Sequence, residues 1–145
     1  KKYEKNYSSH KFLYISTAGV IVFLLVGATG AISALGNTLF PETSLIEGVL
    51  KDFDQKSHFL IRLRIFHPAL AILLFGLIQW VVSFKKSKIN RVLVFCSWVA
   101  VGFGVLNWAL LAPKWGAITH LLIADALWCI FILSIFSYIF PRATK

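Results

Sequence analysis

Four apolar runs, each long enough to cross a bilayer, constrain this chain more than any other feature. They lie at Phe12–Leu35, Phe59–Phe84, Val92–Ala112 and Gly116–Phe140, and each offers the roughly 20 residues that a membrane-spanning helix needs. In hydrocarbon every backbone N–H and C=O must find its partner inside the protein, so runs of this kind fold as helices. The expected fold class is all-α, an integral membrane four-helix bundle. Composition agrees, since 58% of the 145 residues are hydrophobic, 14% are charged and the mean hydropathy is +0.76. The first run is too long for a cleaved signal peptide, and polar sequence precedes it. The chain starts at Lys1 and contains no methionine, which reads as a trimmed chain or one part of a longer one.

Charge sets the expected direction of the spans. Lys1, Lys2, Lys5 and Lys11 precede the first span, Lys85, Lys86, Lys88 and Arg91 lie between the second and third, and Arg142 and Lys145 follow the fourth. Basic residues gathered in alternate connections, all on one side of the membrane, place both termini in the cytoplasm. The same clustering beside apolar runs accounts for the net charge of +9 without nucleic acid as a partner. Short links between the last three spans favour antiparallel neighbours. The first link, Gly36–Ser57, is longer. In it Leu45, Ile46, Val49, Leu50 and Phe53 recur at helical spacing, which predicts a short amphipathic helix at the outer interface. Cys96 and Cys129 fall within spans, and there is no CxxC or CxxCH motif.

Inside the second and fourth spans stand His67 and His120. A titratable ring in hydrocarbon is costly and marks a site, unless it merely bonds a backbone carbonyl. Both spans run from outside to inside, and the two rings differ in depth by about 6 Å at 1.5 Å per residue. Both belong to the outer leaflet. Two neutral imidazoles on facing helices are what axial ligation of a heme iron requires, and both His67 and His120 are expected as the metal ligands. Gly27, Gly30, Ala31 and Ala34 on span one, with Gly102 and Gly104 on span three, make room for a macrocycle or serve close helix packing. Arg64 lies one turn outward from His67, where its planar fork suits a heme propionate. Arg62 and His58 lie further out and complete the expected cofactor-binding set, with snorkelling to head groups the alternative for Arg62. Pro68 should kink the helix beside the ligand. Asp125, the one acid within a span, bonds a polar group such as Asn107 or serves a proton path. Trp80, Trp108, Trp115 and Tyr138 read as an interfacial aromatic belt, and Trp98 and Trp128 as core.

The stretches GATGAISALGNTLFP (Gly27–Pro41), HFLIRLRIFHPALAI (His58–Ile72) and AITHLLIADALW (Ala117–Trp128) resemble the C-terminal half of heme A synthase over nearly the whole chain. That resemblance implies one four-helix half of an eight-helix bacterial inner-membrane protein. It also implies heme b held by His67 and His120, with oxidation of the heme O methyl group to a formyl performed by the N-terminal half. The cysteine pair that many members carry in the first outer loop is absent here, and Arg64 stands where the catalytic half has a glutamate. The implied catalytic residues therefore lie outside this chain. The implied partners are the lipid bilayer, the N-terminal half, heme O as substrate, heme O synthase and an electron donor, with a homo-oligomer as the route for a compact member. The alternative from the residues alone is a non-catalytic b-type cytochrome membrane anchor exchanging electrons with quinone. A small transporter or assembly factor with structural histidines is the third.

Overall fold

In the computed structural model, residues 2–140 are described, with side chains from His10 onward. Lys1, Arg142, Lys145 and the side chains of Lys2 and Lys5, on which part of the charge argument rests, lie outside the described residues. The described chain is all helical: α1 (Lys2–Leu39), α2 (Leu45–Phe53), α3 (Phe59–Leu63), α4 (Phe66–Ser83), α5 (Lys88–Ala109) and α6 (Lys114–Ile139). Four helical segments are long and apolar enough to cross a membrane: His10–Leu39, Phe59–Ser83, Lys88–Ala109 and Lys114–Ile139.

Local chemistry sets the boundaries. Ser44 caps α2 by accepting from the Glu47 N–H, and Ser87 caps α5 by accepting from the Asn90 N–H, each satisfying an orphan donor of a first turn. The second span is broken at Arg64–Ile65 into α3 and α4. Pro68 has no N–H to give the Arg64 carbonyl, and its ring would clash there. The His67 N–H bonds that carbonyl instead, at 3.2 Å. The predicted kink is thus a break in the helix immediately before the histidine. At the far end of α5 the chain closes a Schellman motif: the Ala112 N–H reaches the Asn107 carbonyl at 2.8 Å and the Leu111 N–H reaches Trp108 at 2.9 Å. Leu111 takes the left-handed position at φ 59°, where glycine is the usual occupant.

The helices pack in a ring in chain order, α1 beside α4, α4 beside α5, α5 beside α6, and α6 meeting α1 again. The α4 and α6 helices therefore stand diagonally across the bundle. The apolar core is confined to the half of the bundle away from α2. It comprises Phe12, Ile15 and Phe23 of α1, Leu74, Ile78 and Val81 of α4, Leu93 and Ala100 of α5, and Leu127 and Phe131 of α6. Polar clamps accompany it, with the Ser134 hydroxyl donating to Asn90 Oδ1 at 2.7 Å and the Gln79 amide donating to Ser97 at 3.1 Å. Tyr138 stacks on Phe12 with ring centres 3.6 Å apart, so it belongs to this core and not to a belt. Trp128 packs edge-on against Phe23 as expected of a core residue, whereas Trp98 lies on the outer surface, 60% exposed.

In the half of the bundle near α2 the packing changes. No residue in 24–35, 65–73, 101–115 or 117–126 is buried. Apart from Gly36, Ile61, Arg64 and Gly116, the residues at this end are half-buried or exposed, and the histidines lie among them.

Candidate functional site

His67 near the start of α4 and His120 in the second turn of α6 face each other across the bundle diagonal, with ring centres 6.4 Å apart and planes at 86°. Each ring rests on a glycine of a neighbouring helix. A Cβ on Gly30 of α1 would stand 3.1 Å from His67 Cε1, and one on Gly104 of α5 would stand 3.0 Å from His120 Cε1. These glycines thus clear space for the imidazoles themselves, while Gly27 and Gly102 have nothing near them. The Phe103 ring lies parallel to that of His120, within 10°.

The tautomer of His67 follows from its partner. Its Nδ1 lies 3.2 Å from the Val26 carbonyl oxygen, which can only accept, so the proton sits on Nδ1 and the Nε2 lone pair is free. That is the arrangement a metal-binding imidazole needs. A metal held between two imidazoles at about 2.0 Å from each nitrogen puts the ring centres about 6 Å apart. The observed separation matches this spacing, so the two residues fit a group held between two imidazoles.

The other expected cofactor residues are placed elsewhere. Arg64 is buried and does not reach the histidines. Its Nε donates to Asp52 Oδ1 at 2.9 Å, its Nη1 to Asn37 Oδ1 at 2.7 Å and its Nη2 to Glu42 Oε1 at 3.2 Å. The geometry therefore gives it another role than the expected propionate contact: it ties the loop carrying α2 to the bundle. Glu42 and Asp52 lie 22 and 12 residues earlier in the chain, so only folding of that loop could reveal the partnership. His58 accepts from the Leu60 N–H as the cap of α3, with its ring against Phe40 and Phe59. Arg62 is exposed on α3. Asp125 is exposed at mid-span and is not bonded to Asn107, whose Oδ1 has no hydrogen-bond partner among the described residues. Cys96 and Cys129 are free.

The expected amphipathic helix is α2. Ile46, Leu50 and Phe53 are exposed on it, and none of its residues is buried. Lys51 holds it down, pairing with Glu47 at 2.8 Å and with Glu42 at 3.0 Å. Lys51 first, then the Thr43 hydroxyl, lower the Glu47 pKa from 4.5 to about 2. A depressed carboxylate pKa stabilises the folded loop above pH 4.5, and this is lost as pH falls toward 2. Hydrogen exchange over residues 42–54 should therefore quicken as pH falls through that window, after correction for the intrinsic rate. Corrected rates that stay flat would exclude the effect.

Comparison with known proteins gives this geometry a setting. The chain is 34% identical over 122 residues to a protein named protoheme IX farnesyltransferase from Thermus thermophilus, and equally to its counterpart in a second strain of that species. The match covers 79% of this chain and 20% of each relative, so the chain spans about one fifth of the length of the curated relatives it matches. No family model matches the chain, and no solved structure matches it. These relatives overturn the expectation of a heme A synthase. They are named for transferring a farnesyl group to protoheme IX, a different reaction from oxidising a methyl group. Two histidines between transmembrane helices carry no signature of the reaction a protein performs. The four apolar helices and the bacterial relatives fit a multi-pass protein of the bacterial inner membrane.

Proposed function

We propose that this chain is a heme-holding membrane module of heme biosynthesis, in which His67 and His120 bind protoheme iron from opposite faces. The observation that carries this reading is the facing pair itself, with ring centres 6.4 Å apart. The name of the relatives supports it, because it specifies a protein that acts on protoheme IX. Heme farnesylation is the reaction class we assign to the module's setting, with holding and orienting the porphyrin as the part of its own residues. His67 and His120 would hold the protoheme, which would itself be the group acted on by a transfer reaction.

The residues divide the work. The Val26 carbonyl fixes the proton of His67 on Nδ1 and leaves Nε2 as the lone-pair nitrogen. Gly30 and Gly104 let the two rings stand against α1 and α5. Phe103 lies beside the His120 ring, with ring centres 6.4 Å apart and planes within 10°. The Arg64 network holds the loop with α2 at this end of the bundle.

Titration of the detergent-solubilised protein with hemin tests the reading directly. The expected result is a saturable low-spin Soret band at one heme per chain, and no saturable spectral change would overturn it. Gly104→Ala should weaken that binding while leaving the helical content unchanged. Its new methyl would stand 3.0 Å from His120 Cε1, so the ring must move. Wild-type affinity in that variant would show that the ring tolerates the methyl.

A further inference from the structure

The end of the bundle away from the histidines carries a concave surface of different chemistry. It lies in the angle between α4 and α5, where one span ends at Ser83 and the next begins at Lys88. The cleft has a volume of about 630 Å³, and its walls include Val82, Lys86, Ser87, Lys88, Arg91 and Val94. Val94 lies six residues beyond Lys88, about 9 Å further along α5 at 1.5 Å per residue. The cleft thus runs from a cationic rim, where two spans leave the hydrocarbon, to an apolar floor within it.

Some of its residues are already engaged. The Lys85 ammonium donates to the Ser137 carbonyl at 2.8 Å, and the Asn90 amide donates to the Lys85 carbonyl and accepts from Ser134. Lys86, Lys88 and Arg91 are exposed and pair with no carboxylate among the described residues. At the opposite end, by contrast, Lys51 and Arg64 are matched by Glu42, Glu47 and Asp52. Lys88 and Arg91 stand one turn apart on one helix face, and such a like-charge pair costs stability. Cations at the start of a helix also oppose its dipole, and no acid in the first turn of α5 offsets them. An anion seated among the three relieves both costs. Two ammonium groups and a planar guanidinium suit a phosphate, and the Ser87 hydroxyl, which accepts from the Asn90 N–H, keeps its own proton to donate. A phosphate alone would leave the apolar floor unused. We propose that this cleft binds one anionic phospholipid, with its phosphate held by Lys86, Lys88 and Arg91 and an acyl chain against Val82 and Val94. Basic pockets between membrane helices take head groups of this kind. Neither histidine takes part, so the site stands whether or not heme binds.

Native mass spectrometry of the delipidated full chain, with phosphatidylglycerol or phosphatidylcholine added in detergent, tests the assignment. The expected result is one phosphatidylglycerol retained per chain in preference to phosphatidylcholine. Each cation should contribute about fivefold. Replacing all three together (Lys86→Gln, Lys88→Gln and Arg91→Gln) should therefore weaken phosphatidylglycerol binding about 100-fold. Lys85 is left in place because its bond to Ser137 belongs to the packing. Equal affinity for the two lipids, or undiminished phosphatidylglycerol binding in the folded triple variant, would overturn the proposal. So would displacement of the lipid by an equal concentration of inorganic phosphate, which would make this a site for a free anion. Should the triple variant fail to fold, the wild type decides, using a phosphatidylglycerol with a photoreactive head group. Its labels should fall within residues 82–94, and labels confined to other segments would overturn the site.

Discussion

Replacing His120 with alanine is expected to abolish the low-spin spectrum of the hemin-loaded protein, and replacing His67 should do the same. The effect should exceed the roughly 10–100-fold that loss of an outer-shell partner costs, because an axial bond itself is removed. The two variants should differ in one respect. In His120→Ala the remaining ligand, His67, keeps its bond to the Val26 carbonyl, so residual heme should bind as a five-coordinate, high-spin species. In His67→Ala the remaining His120 has no direct acceptor for its Nδ1 among the described residues, and residual binding should be weaker still. Absorption spectra of both variants at saturating hemin, with free imidazole added as a rescue, measure this. Equal residual affinity in the two would mean that the difference in their Nδ1 partners does not matter. The fold should survive both changes, because neither ring lies within the apolar core at the far end of the bundle.

The second large effect is expected at Arg64. Its side chain is 8% exposed and Glu42 is 7% exposed, and both Glu42 and Asp52 pair with the guanidinium, at 3.2 and 2.8 Å. Removing one partner of a buried ion pair leaves the other charge uncompensated and costs about 3–5 kcal/mol. In Arg64→Ala two carboxylates and the Asn37 amide oxygen lose a donor at once. The loop bearing α2 should come away from the bundle, seen as protease cleavage between residues 42 and 57 and as a lowered Tm. Arg64→Lys should rescue only in part, since an ammonium group cannot reproduce the planar fork that engages three acceptors. Unchanged proteolysis in Arg64→Ala would show that the loop is held by other contacts. Heme binding should fall less than in the histidine variants, because Arg64 touches neither ring.

How much of this could be read in the sequence depended on the range of the interaction concerned. The spans at Phe59–Phe84 and Gly116–Phe140 were legible because a run of apolar residues is a local property, and their observed counterparts are Phe59–Ser83 and Lys114–Ile139. The break before His67 was legible for the same reason, since Pro68 acts on the carbonyl four residues behind it. Gly30 and Gly104 were visible as small residues, but that each backs one histidine ring required the helices to be placed. Arg64 shows the limit most clearly. One turn from His67 it looked destined for a propionate, yet two acids from the preceding loop claim it. Trp98 looked like core by depth, but depth along a helix says nothing about which side of it faces outward, and Trp98 faces out. Asn107 was legible only as a candidate partner for Asp125, and that it stands against Gly116 required the fold.

Four membrane-length helices, two of them carrying a histidine at similar depth, follow from the order of residues alone. Hydrophobic run length and helical rise are fixed by residues near one another in the chain. It took the folded bundle to establish that those two helices stand on the diagonal, that the apolar core gathers at one end, and that Arg64 serves the loop. Those outcomes depend on which side of each helix packs against which neighbour, and such pairings join residues tens of positions apart.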